Sequence, residues 1–154
     1  MAGGAMLTEP RWTHVAIPSR DLERSIDFYT KMTPLVIVYR HEDEMGKTAW
    51  LSNDKQIVDP FVLVIVMFYA DRDKDPESIF APFAHIGIEV PSREDVDAMA
   101  EKGREMDCLH WAPRDMPGPV GYICALKDPD GNVVEFSHNQ KVFEAVRSLW
   151  GGEG

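Results

Sequence analysis

His14, His85 and Glu135 have the residue types and the settings to act together on one small piece of chemistry. Each sits in a short run of β-branched and apolar residues: "RWTHVAI", "FAHIGIEV" and "VVEFSH". Alternate residues of a strand share a face. His14 therefore goes with Trp12 and Ala16, His85 with Phe83 and Gly87, and Glu135 with Val133 and Ser137. A carboxylate between Val134 and Phe136 is costly to bury without a partner, and a cation is one such partner. Two neutral imidazoles and a carboxylate form a recurrent donor set for a divalent ion such as Zn, Fe, Mn, Ni or Co. Such an ion keeps open positions that can hold two neighbouring substrate oxygens and stabilise charge developing on them. A lone histidine in a strand is ordinarily a hydrogen-bonded core or surface residue, so the metal reading rests on the three together. His41, His110 and His138 have no comparable relation and read as surface or supporting residues. Trp50 and Trp111 read as packing groups or pocket walls.

The two histidines lie in an internal echo. "THVAIPSRD" at 13–21 returns as "AHIGIEVPSRED" at 84–95, with the histidines 71 positions apart. After each echo comes a helical pattern. Leu22, Ile26 and Tyr29 recur at helical spacing, with Pro34 as the stop; Val96, Met99, Ala100 and Gly103 do the same in the second copy. Ser92 with Asp95 approximates a capping box. Strand-like runs follow in each half: 35–42, 47–53 and 60–69 in the first, then a weak one near 108–112, 120–126 and 133–138. The "KDPDGN" turn precedes the last. These patterns predict an α+β fold of two tandem βαβββ modules, about 11–70 and 82–138. They would form a curved mixed sheet around a cleft, with helices outside. An extra helix at about 140–150 closes a single domain spanning 9–150, with Val142, Val146, Leu149 and Trp150 on one face. The ends, "MAGGAMLTEP" and "GGEG", are expected to fray. Residues 71–81 read as a linker. The segment 112–119, stiffened by Pro113, Pro117 and Pro119, reads as a loop able to act as a lid.

Composition bounds the partners. The net charge is −10 in 154 residues with a pI near 4.9, which disfavours nucleic acid and anionic membrane surfaces. The longest apolar run, 61–70, is too short to cross a bilayer as a helix. Nothing at the start resembles a secretory signal, and Cys108 with Cys124 matches no zinc knuckle or redox motif. A cytoplasmic protein with a small-molecule partner is expected.

"HVAIPSRDLERSIDFYTK", "HIGIEV" and "KDPDGNVVEF" together resemble the vicinal oxygen chelate superfamily, which includes glyoxalases, bleomycin-resistance proteins and extradiol dioxygenases. The resemblance implies that His14, His85 and Glu135 occupy three of the family's metal positions, that Glu135 has a catalytic role, and that the protein is a homodimer. It implies a metal-dependent lyase, isomerase or dioxygenase acting on a substrate with vicinal oxygens. The rival implication is a non-catalytic binder of the bleomycin-resistance kind. Several positions depart from well-known members. The fourth strand has no polar ligand of the glyoxalase I type. Ala125 stands where dioxygenases and fosfomycin-resistance transferases have a Tyr, and Glu144 where the latter have an Arg. "MTPL" replaces the usual Leu-Gly joint after the first helix.

Overall fold

A computed structural model describes residues 13–55, 61–80 and 83–150. Trp12, the two chain ends and Pro60 lie outside those residues, as do the side chains of Val146, Leu149 and Trp150 in the last helix. Module one contains β1 (His14–Pro18), α1 (Leu22–Met32), β2 (Val36–Glu42), β3 (Gly46–Ser52) and β4 (Val62–Phe68). Module two repeats the order with β5 (His85–Glu89), α2 (Arg93–Glu105), β6 (Leu109–Met116), β7 (Gly121–Lys127) and β8 (Val133–His138). A final helix, α3, spans Val142–Trp150.

The helices begin where local chemistry satisfies their free N–H groups. Asp21 caps α1 by accepting from the Arg24 amide (3.1 Å). The anticipated capping box on α2 is complete, with Ser92 and Asp95 each accepting from the other's backbone N–H. Each module forms a four-stranded mixed sheet, in the orders β1-β4-β3-β2 and β5-β8-β7-β6. β1 pairs with β4, and β5 with β8, in parallel; the other ladders are antiparallel. β1 and β5 are both edge strands and do not pair with each other.

A single apolar core spans both modules on the helix side. It includes Ile17, Leu51 and Ile65 from the first sheet and Leu126, Val134 and Phe136 from the second, with Ile26 and Val96 from the helices. Burying these side chains is the main favourable term holding the modules together. The aspartate-rich turn before β8 adds a polar lock. Tyr29 donates to Asp128 (2.8 Å), Ser25 to Asp130 (3.2 Å), and the Arg20 amide to Asp130 (2.9 Å). Asn132 accepts from the Ile79 amide (3.1 Å) and from Ser78 (3.3 Å), which ties down the anticipated linker.

One expectation fails. Most of the supposed lid, 112–119, is the end of β6, which runs to Met116. Arg93 clamps it with a bidentate pair to Asp115, both contacts 2.7 Å. The prolines misled because β6 is an edge strand with irregular register between Trp111 and Arg114. Edge strands and bulges are where a strand accommodates a residue without an N–H donor.

Candidate metal centre

His85 and Glu135 meet on the face of the second sheet turned away from the core. In the parallel β5–β8 ladder Gly87 stands directly opposite Glu135, and His85 opposite Val133. The imidazole and the carboxylate are therefore diagonal neighbours, with no side chain at position 87 between them. His85 Nε2 lies 3.6 Å from Glu135 Oε2. The other ring nitrogen, Nδ1, is 3.0 Å from the Phe83 carbonyl oxygen. A carbonyl only accepts, so Nδ1 carries the proton and donates it there. In the neutral ring this leaves the Nε2 lone pair aimed at a carboxylate oxygen. A proton on Nε2 or a cation between the two groups would reconcile such facing acceptors. Ligand atoms bound at about 2.0–2.2 Å to one ion stand at a comparable separation.

The carboxylate is deeply buried, at 4% exposure. Gln140 Nε2 donates to its second oxygen, Oε1 (3.1 Å). Two positions along the same face, Ser137 is fully buried, and its hydroxyl has no hydrogen-bond partner among the described residues. An orphaned buried hydroxyl beside a buried carboxylate suits a polar occupant such as water, an ion's hydration shell or a substrate oxygen. The row across the sheet runs Trp111, Ala125, Glu135, Gly87. Trp111 packs edge-on against His85, with ring centroids 5.7 Å apart, and Arg114 lies 5.4 Å over the indole. Trp111 is thus a wall of the site.

His14 occupies the equivalent position on β1 but does not join the pair within one chain. It is exposed, and its Nδ1 lies 2.8 Å from the Thr13 hydroxyl. Among the described residues, no three His, Cys, Asp or Glu side chains cluster in a single chain. The reason lies in the packing: both helix sides share the core, so the faces carrying His14 and Glu135 turn away from that core on different modules. Around His14 that face is apolar. It carries Val62, Val64 and Val66 from β4, with Trp50 and Tyr39 beyond them. Trp50 is 42% and Tyr39 47% exposed, so neither is a satisfied packing residue.

The remaining candidates fall away from this centre. Tyr122 faces α2, donating to Asp97 (2.7 Å) beneath Arg93, as its strand parity requires. His138 lies against the Val90 carbonyl. Burial pushes the Cys124 thiol up to about 12, which removes it as a nucleophile. A cavity of about 560 Å³ lies at the seam between modules. Val15, Leu63, Ile86, Ile88 and His85 are among its walls, and Glu135 is not. Sequence reasoning missed Gln140 and Ser137. Ser137 was legible as a face-mate of Glu135; Gln140 lay in a segment read only as the start of a helix.

Residues 11–136 match the family model described as Glyoxalase/Bleomycin resistance protein/Dioxygenase superfamily. The chain belongs to that superfamily. A curated relative, an uncharacterized protein of Pseudomonas aeruginosa, is 35% identical over 140 residues, covering 91% of this chain and 96% of the relative. The fold is similar to that of the trypanothione-dependent glyoxalase I of Leishmania major, with a TM-score of 0.65 and 22% identity over 93% of this chain and 99% of that one. It is also similar to TnmS3, an antibiotic-binding protein from Streptomyces sp. CB03234, with a TM-score of 0.60 and 18% identity over 86% and 98% of the two chains. Superfamily membership accounts for the paired modules. It spans both catalysts and binders, so the chemistry must be argued from the site.

Proposed function

We propose that this protein is a metal-dependent enzyme of the glyoxalase/dioxygenase type, acting on a small substrate with vicinal oxygens. The observation carrying the reading is the His85–Glu135 pair. It joins a nitrogen lone pair fixed by the Phe83 carbonyl to a buried carboxylate oxygen 3.6 Å away. The donor set suits a divalent ion, and the orphaned Ser137 hydroxyl adds a polar contact beside it. His85 and Glu135 supply two ligands. His14 supplies the third from a second copy of the chain, since its own module faces elsewhere. A homodimer in which module one of each copy caps module two of the other forms two such sites, related by a twofold axis.

A bound divalent ion would polarise the substrate oxygens and lower the cost of negative charge on them. The chain's own residues do the rest. Glu135 is the only carboxylate of the set and is the side chain of the set able to accept or return a proton. Trp111 and the apolar β4 face wall the cleft and exclude water, which strengthens electrostatic interactions within it. Val62, Val64 and Val66 share His14's face, so β4 provides no base. The proton-transfer role falls to Glu135 or to water.

The test is elemental analysis of purified protein and of its His85→Ala and Glu135→Ala variants, followed by assays of the loaded protein. About one ion per chain, lost in both variants, supports the reading. Full retention of metal by both variants, or tight ligand binding by a metal-free protein with no turnover, would favour a non-catalytic binder instead.

A further inference from the structure

We infer that Gln140 is a positioning residue for Glu135, set in place by the reversal of the chain after β8. The inference rests on the metal reading above and deepens it. A carboxylate has two oxygens and can rotate between them. Here the Gln140 amide nitrogen holds Oε1 at 3.1 Å, and the other oxygen, Oε2, is the one that faces His85. The carboxylate only accepts, so the nitrogen of the amide must be the atom facing it. The arrangement keeps one oxygen occupied by a neutral donor and presents the other towards the space where an ion would sit. Residues that orient a ligand in this way commonly shift metal affinity about 10–100-fold when removed.

Gln140 reaches back over five residues, and that geometry is built into the backbone. Asn139 is in the left-handed region, with φ of 59°. Non-glycine residues adopt that region only when the surroundings repay the cost, and Asn is among those that tolerate it. Gly121, at the start of β7, lets the turn sit close. A Cβ there would meet the His138 carbonyl oxygen at 2.3 Å and the Asn139 carbonyl oxygen at 2.9 Å. The Lys141 amide then donates to the Pro119 carbonyl (2.9 Å), fastening the far side of the turn. Contacts between two segments, 119–121 and 138–141, thus hold one amide over one carboxylate oxygen. α3 begins two residues later, at Val142, so the helix is anchored to the fold beside the site.

The experiment measures the affinity of the metal-free full chain for Ni²⁺ and Co²⁺ by calorimetry, with the Co²⁺ absorption spectrum as a report on ligand geometry. Gln140→Met keeps the side-chain length and removes the donor. We expect its affinity to fall at least tenfold and its Co²⁺ spectrum to change, while the metal-free protein remains folded by circular dichroism, with a melting temperature lowered only as far as the loss of one donor to a buried carboxylate requires. Gln140→Glu, which sets a like charge against Glu135, should fall further. Asn139→Gly, which retains the turn, should bind as the wild type does. If Gln140→Met binds as tightly as the wild type while Glu135→Ala does not bind, the role of Gln140 is overturned and the metal reading stands. If the wild type binds no better than Glu135→Ala, the metal reading fails and takes this inference with it.

Discussion

His85 and Glu135 approach each other along a diagonal of the β5–β8 ladder, Nε2 to Oε2 at 3.6 Å, because the residue directly opposite Glu135 is Gly87. A Cβ built at Gly87 meets no atom of the described residues within 4 Å, so among them the space beside the carboxylate is open. A small addition can therefore be made there without disturbing the backbone, and a branched one would stand next to the carboxylate.

Gly87→Val should fold normally and lose metal affinity by an order of magnitude or more, whereas Gly87→Ala should bind nearly as the wild type does. Calorimetric titration of the two variants checks this. Equal affinity for all three proteins would mean that the open space at position 87 has no part in the site.

The proposed dimer, with its shared sites, makes a prediction about mixtures. His14→Ala and Glu135→Ala homodimers each lack one ligand in both sites. In a heterodimer one site loses both residues, and the other regains a native His14 and a native Glu135. Unfolding and refolding the two variants together in equal amounts should restore about one quarter of wild-type metal content and activity. No recovery, with heterodimers present by mass spectrometry, would show that the modules do not exchange in this way.

The composition of β4 bears on activity. Its outward face carries valines at 62, 64 and 66, where a base or fourth ligand would have to stand. Metal-loaded protein should turn over the methylglyoxal–glutathione hemithioacetal at a rate near background. It should also leave catechols intact in air, since Ala125 sits beside Glu135 with no phenol to offer. Rapid turnover of either substrate would overturn the role assigned to that strand or to that alanine.

The lock between modules carries a pH signature. Burial raises the Asp128 carboxyl above its ordinary value, against the opposing pull of the Asn132 and Tyr29 hydrogen bonds. A native value above the unfolded one means that folding favours the protonated form. Its contribution is greatest below the unfolded value and is lost as pH rises through the native one. Asp128→Asn should therefore be less destabilising at pH 7 than at pH 4, measured by thermal unfolding at both. The opposite order would show that the hydrogen bonds outweigh burial. Tyr29→Phe removes the hydroxyl donor to the same carboxylate and should cost about 1–3 kcal/mol at neutral pH.

Much of this architecture was legible in the residues. Strand alternation around His14, His85 and Glu135, the helical spacing after each histidine, the Ser92–Asp95 cap and the DPDGN turn are local signals, and local signals survive in one dimension. They determined the paired βαβββ modules and which face of each strand carries its polar residue. They could not determine which modules face each other. Strand parity places His14 on one face of β1, but the direction of that face depends on how the helix sides share a core, through Ile17, Ile65, Val134 and Phe136. Pro113 obscured β6 because only the sheet order makes that strand an edge. Gln140 stayed hidden for a similar reason. Its contact with Glu135 depends on a left-handed turn at Asn139 and on the room left by Gly121, which belongs to a different strand. Periodicity reports which residues share a face, whereas long-range packing decides what that face meets.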